Sequence, residues 1–417
     1  MSQNWPKPSD VVQAGKFISE VVKPTPLMKN YNLSELYHSN VLLKREDLQI
    51  VRSYKIRGAF NKIKSISTER LKNGVVCASA GNHAQGVALT CKTLGIKGVI
   101  YMPTTTPKQK IGQVKMFGNG FVDIILEGDT FDEANKLAIR FCKEHKMSFI
   151  HPFDDLKIIE GQATVASEIL SEYTEKIDYL FIPIGGGGLA SGMGSYFKQI
   201  SPDTKIIGVE PAGAPSMQAA IAAGHTIELE TIDKFIDGAA VKRVGEHNFE
   251  ICREVLDDII IVPEGSVCTT ILDLYNQNAI VAEPAGALSI AALKQYSDKI
   301  RGKSVVCVVS GSNNDITRME EIRERSLLHE GFKHYFIIRF PQRAGALLNF
   351  VQNILGPKDD ITHFSYQKKN NREAGPAVIG IELSDKKDFN HLIKRMDKHD
   401  IIYEYLNDKQ DLFGFLV

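Results

Sequence analysis

The chain has 417 residues, 43% of them hydrophobic, with 50 Lys plus Arg balancing 50 Asp plus Glu. That length suits two or three domains with sizeable cores, and zero net charge without a basic block argues against nucleic acid as a partner. No apolar run reaches membrane-spanning length and residues 1–10 are polar and proline-bearing, so a cytoplasmic protein with no membrane partner is expected.

In chain order, Ser53-Tyr54-Lys55-Ile56-Arg57-Gly58-Ala59 places a lysine where a helix begins, running on through Phe60 and Ile63. A lysine there is ordinarily a solvated surface group. Val75-Val76-Cys77 reads as a strand, and Ser79-Ala80-Gly81-Asn82-His83-Ala84-Gln85-Gly86 follows it and opens a helix over 84–94. Asn82 suits a helix cap, and the helix start suits an anion. Strands at 99–102 and 122–126, helices at 131–144 and 158–172, and strands at 180–184, 206–209 and 305–309 continue the alternation. This predicts an α/β architecture with largely parallel sheets, helices on both faces and the active site at strand C-terminal ends.

The run Gly185-Gly186-Gly187-Gly188 lies between the strand Tyr179 to Ile184 and a helix from Leu189 to Ile200. Glycines at a helix start let the backbone approach an oxyanion, and the free N–H groups and helix dipole favour negative charge, so the expected guest is a phosphate. Gly185, Gly187 and Ala190 also match G-x-G-x-x-A, with Glu210 ending the next strand twenty residues after Ala190. From this segment alone a dinucleotide and another phosphate-bearing cofactor both stand. At the end of strand 305–309, Ser310-Gly311-Ser312-Asn313-Asn314 supplies hydroxyls and amides at the same sheet edge. The six cysteines form no C-x-x-C pair and signal neither zinc nor disulfides.

After residue 331 the pattern changes: strands at 334–340, 361–368, 377–383 and 412–416 and helices at 344–355 and 389–399 give the order βαββαβ. About ninety residues suit a small α+β domain appended to a larger body.

Together, Lys23-Pro24-Thr25-Pro26-Leu27, residues 53–59, residues 79–86, Gly-Gly-Gly-Gly-Leu at 185–189, Glu-Pro-Ala-Gly-Ala at 283–287 and Ser-Gly at 310–311 resemble the pyridoxal-phosphate-dependent threonine dehydratases. The segment with Phe340-Pro341-Gln342-Arg343-Ala344-Gly345-Ala346-Leu347 is similar to their single ACT-like regulatory domain. The resemblance implies a type II pyridoxal-phosphate fold: two open, twisted, mostly parallel sheets with helices on both faces, plus a C-terminal α+β domain. It divides the chain into a catalytic part at 1–325, with a smaller subdomain at about 52–150 inserted in it, and a regulatory part at 331–417.

The resemblance further implies that Lys55 forms the Schiff base and then removes the α-proton, and that Asn82 bonds the ring 3-hydroxyl. It makes Gly185, Gly186, Gly187, Gly188 and Leu189 the holders of the phosphate, which relays the acid proton, and sets Ser310 at the pyridine nitrogen. Backbone N–H groups over Ser79, Ala80, Gly81, Asn82 and His83 would take the substrate carboxylate. The implied reaction turns L-threonine, and L-serine more weakly, into a 2-oxoacid and ammonia as the first step of isoleucine biosynthesis. Isoleucine and valine are the implied effectors, in a homo-oligomer of two or four chains. Related catabolic enzymes hold a divalent metal at positions matching Glu210 and Ala214, but Ser216 stands where a carboxylate is expected, so no metal is assigned. His83 and His151 are read as structural. Rival readings are serine dehydration, racemisation or β-replacement on the same cofactor, or a nucleotide or amino-acid sensor. The Tyr54 and Ile56 flanks of Lys55 favour a dehydratase over a synthase.

Overall fold

The computed structural model describes residues 5–367 and 373–409. They form two compact units, Met1–Ile316 and Thr317–Val417.

The first unit carries two sheets. The larger runs in the order Leu27–Lys29, Asn40–Arg45, Ser304–Val309, Tyr179–Pro183, Lys205–Pro211, Asp258–Val262, and only its first strand is antiparallel. The smaller is parallel throughout, in the order Val122–Leu126, Gly98–Met102, Val75–Ala78, Ser148–Phe149. Its strands fall in the chain between the second and third strands of the larger sheet. Val75, Val76, Cys77 and Ala78 are fully buried, as are Val305 to Val309, so these strands read as unbroken apolar runs covered on both faces.

Three strands complete the larger sheet beyond those expected: the short Leu27–Lys29 and two longer ones. Asp258–Val262 is a β-branched run at its edge. Asn40–Arg45 ends in two basic residues, yet Lys44 is fully buried, its Nζ donating to Thr25 O (2.6 Å) and pairing with Glu168 (2.7 Å). A buried lysine is tolerated only with such partners, which come from elsewhere in the chain.

In the second unit, an antiparallel sheet in the order Asp360–Tyr366, Ala374–Glu382, Lys333–Pro341, Tyr403–Tyr405 is accompanied by helices Ala346–Asn353 and Asp388–Lys398. Phe336, Ile338, Phe350, Ile379, Ile381, Leu392 and Met396 form its core. The βαββαβ order is present, but its last strand is Tyr403–Tyr405; the expected strand at 412–416 lies outside the described residues. The helix expected from 344 starts at Ala346, because Gly345 adopts φ 77° and ends the preceding turn. The expected junction at 325–331 lies at the end of helix Met319–Glu330, which groups with the second unit.

Candidate active site

The segment after strand Val75–Ala78 of the smaller sheet and segments that follow strands of the larger sheet meet in one pocket. Tyr54, Lys55, Asn82, Pro183, Gly185, Gly238, Ala239, Glu283, Ala285 and Ser310 line it. Lys55 opens helix Lys55–Lys64, and its Nζ donates to Pro152 O at 3.0 Å. Burial lowers its pKa from 10.5 to about 8, with the Glu283 carboxylate pulling the other way. A cation normally solvated is thus held where losing its proton is easy.

The glycine cradle is shaped by close contacts. Gly187 caps helix Gly188–Ile200 with φ 95°, a conformation L side chains rarely adopt. A Cβ at Gly186 would lie 2.3 Å from the Phe153 ring. Two of the cradle's carbonyls are tied down: Asn248 Nδ2 donates to Gly186 O at 2.8 Å, and Ser191 Oγ donates to Gly187 O at 2.8 Å. The N–H groups of Gly185 through Leu189 find no acceptor among the described residues. Five unpaired amides at a helix start fit a phosphate.

A second helix, Asn82–Leu94, points its start at the same pocket, and the amides of Asn82, His83 and Ala84 also lack an acceptor among the described residues. Gly81 rather than Asn82 is the cap residue, which corrects the capping expectation. The Asn82 side chain works across the pocket: Nδ2 donates to Glu283 Oε1 at 2.6 Å, and Oδ1 accepts from Asn313 Nδ2 at 2.7 Å. Ser310 is buried, its Oγ donating to Ala285 O at 3.2 Å. Burial, reinforced by Asp237, raises the Glu283 pKa to about 7.

These residues fit pyridoxal phosphate: an amine that deprotonates readily, an amide cradle for the phosphate, and neutral hydrogen-bonding groups between them. Comparison with known proteins decides the matter. The family described as pyridoxal-phosphate dependent enzyme matches residues 18–311, and the C-terminal regulatory domain of threonine dehydratase matches 324–416. The chain is 60% identical to the biosynthetic L-threonine dehydratase of Halalkalibacterium halodurans over 98% of each.

The chain belongs to the pyridoxal-phosphate-dependent threonine dehydratases. Among solved structures, a processed threonine deaminase isoform from Solanum lycopersicum aligns with TM-score 0.73 at 39% identity, over 78% of this chain and 96% of that one. Maize serine racemase aligns with TM-score 0.71 at 31% identity, over 77% of this chain and 98% of that one. The fold is therefore shared within the family by enzymes named for different reactions, and the cofactor is pyridoxal phosphate.

Other residues singled out in the sequence have structural partners in this dehydratase. Glu210 is fully buried and accepts the N–H groups of Met217 (2.7 Å) and Gln218 (2.8 Å), capping helix Ser216–Ala223. The dinucleotide fingerprint is thus a false match, its acidic residue being spent on a helix start. No group of three or more metal-ligating side chains occurs among the described residues. His83 Nε2 bonds Ile150 O at 3.0 Å, and burial lowers its pKa to about 3. His151 Nδ1 accepts the N–H groups of Phe153 (3.2 Å) and Asp154 (2.7 Å), shaping the loop that packs Phe153 under the cradle. Sequence reasoning assigned no role to Glu283, Asn313 or Asn248. The first two lay inside noted motifs, while Asn248 sits in helix Glu246–Val255 with no local signal.

Proposed function

We propose that this chain deaminates L-threonine to 2-oxobutanoate and ammonia, and L-serine more weakly, with pyridoxal phosphate attached at Lys55. The observation that carries the reading is the meeting of Lys55, with its lowered pKa, and the unpaired amides of Gly185 through Leu189 around one pocket. When bound, pyridoxal phosphate supplies an aldehyde for amine attachment and a conjugated ring that takes up the electron pair left at Cα.

The chain's own groups do the rest. Gly185, Gly186, Gly187, Gly188 and Leu189 hold the phosphate through their N–H groups, and Asn82 Nδ2 holds the ring 3-oxygen. Ser310 Oγ meets the ring nitrogen as a neutral hydroxyl; unlike a carboxylate it does not force protonation there, which suits elimination better than transamination. The amides at Ala80, Asn82 and His83 receive the substrate carboxylate and orient Cα, whereas the expected Ser79 and Gly81 amides are spent on Tyr101 O (3.1 Å) and Ser79 Oγ (3.2 Å). Lys55 Nζ, freed when the substrate amine takes its place on the cofactor aldehyde, would take the α-proton, a general-base task that a pKa of about 8 suits. Water lost from Cβ is returned when the product hydrolyses, so threonine yields one 2-oxobutanoate and one ammonia.

The regulatory unit is read as an isoleucine site, valine being a second effector, in a homo-oligomer where a single copy pairs with another subunit's. We place the reaction in the cytoplasm; no helix among the described residues is long and apolar enough to cross a membrane. The test is 2-oxoacid formation from threonine and from serine, with and without isoleucine, on protein whose yellow absorbance borohydride fixes onto Lys55. A colourless protein with no such adduct would sink the reading.

A further inference from the structure

Glu283 stands at the cap position before helix Pro284–Ala291, where an acidic side chain ordinarily bonds its own helix's first N–H groups. It does not: its side chain makes no cap bond and turns instead into the pocket. The residue is buried, its backbone N–H donates to Gly311 O at 3.1 Å, and a Cβ on Gly311 would lie 2.4 Å from Oε1, so the carboxyl is packed in place. Its side-chain partner there is Asn82 Nδ2, 2.6 Å away and 201 residues distant in the chain, and the Asn313 backbone N–H also bonds the carboxyl.

A side-chain amide has one acceptor end and one donor end with two hydrogens. Asn313 Nδ2 donates to Asn82 Oδ1 at 2.7 Å, and is itself anchored by donating to Val51 O at 2.8 Å. With a donor fixed on one side and an acceptor on the other, turning the Asn82 amide over would set N–H against N–H and oxygen against carboxyl oxygen. Only one orientation survives, in which one Nδ2 hydrogen goes to Glu283 and the second is left for the pocket.

Resting on the function proposed above, we infer that Glu283 is a positioning residue for the cofactor ring: it acts through Asn82, as the acceptor that fixes which end of that amide faces the ring oxygen. Acceptance from an N–H requires a lone pair and not a charge, so the role survives protonation of the carboxyl. A glutamine keeps the acceptor at the same reach, an aspartate falls one methylene short, and an alanine removes it.

The experiment measures the dissociation constant of pyridoxal phosphate, the absorption maximum of the bound cofactor and the thermal midpoint for Glu283→Gln, Glu283→Asp, Glu283→Ala, Asn82→Ala and the double variant with both alanines. Glu283→Gln is expected to bind within about threefold of the unmodified protein. Glu283→Asp and Glu283→Ala should weaken binding about tenfold, the worth of one good buried hydrogen bond, and move the absorption band. The double variant should bind no worse than Asn82→Ala, because the two residues act as one unit. Glu283→Asp keeps the test decisive should the alanine variant fail to fold. The inference is overturned if Glu283→Asp keeps the unmodified affinity and spectrum, if Glu283→Gln loses as much as Glu283→Asp, or if the two alanine effects add. A colourless unmodified protein would instead overturn the proposed function.

Discussion

Lys55 and Gly186 show the same chemistry from opposite sides, one group made reactive by burial and one position that has no room for a side chain. Burial lowers the Lys55 pKa from 10.5 to about 8, so between those values the unfolded chain binds the proton that the folded chain has released. Stability should therefore rise with pH across that window. Measured on cofactor-free protein, the unfolding free energy should climb from pH 8 to 10.5 relative to Lys55→Met. A constant difference would mean that Lys55 titrates normally. At Gly186 an added methyl would meet the Phe153 ring at 2.3 Å, so Gly186→Ala should lower stability by about 1–3 kcal/mol and weaken cofactor binding. Unchanged values for both would show that Phe153 yields freely. Asn82, the glycines and Ser310 were legible because each lies in a local motif after a strand, and Lys55 because it opens a helix within the motif at 53–59. Glu283, Asn313 and Asn248 carried no assignment because their roles depend on partners far along the chain: Asn248 reaches Gly186, 62 residues away.

Helix Lys55–Lys64 is held at its base by a group that has nothing to do with the pocket. Arg57 is fully buried, its guanidinium pairing with Glu46 Oε1 (2.7 Å) and Glu168 Oε1 (2.6 Å), while Lys44 shares Glu168. The network ties this helix to helix Leu156–Glu172 and to the end of strand Asn40–Arg45, and so fixes where Lys55 projects. Its charges are closely paired, which is what makes burying them tolerable. Removing Arg57 leaves the Glu46 carboxylate buried with its main partner gone. Arg57→Ala should lower stability by about 3–5 kcal/mol in denaturant titrations. A loss below about 1 kcal/mol would mean that water replaces the guanidinium. The same network explains what was hard to read at this scale: apolar runs announced most strands, but Asn40–Arg45 was hidden by the buried Lys44.

All residues proposed for the chemistry lie in the unit Met1–Ile316, and the fold of the second unit was legible from its βαββαβ alternation. The contact division at Ile316 falls ahead of the expected junction at 325–331 for a physical reason. Gly331, at φ 77°, ends helix Met319–Glu330 and looks like a domain break, yet that helix belongs with the sheet beyond it. Tyr335 Oη donates to Glu324 at 2.7 Å, Lys333 pairs with Glu324, and Arg323 pairs with Glu382 at 2.8 Å. Ile322 is fully buried. A chain ending at Ile316 should thus keep threonine turnover and lose any response to isoleucine, whereas one ending at Glu330 carries a helix stripped of its sheet. The second should be the less soluble and melt at the lower temperature, since burying one isoleucine is worth about 1.5–3 kcal/mol. Assay and melting of the two side by side test both claims: inhibition by isoleucine surviving in the chain ending at Ile316 would put the effector site within the first unit, and equal melting would show that the helix needs no partner.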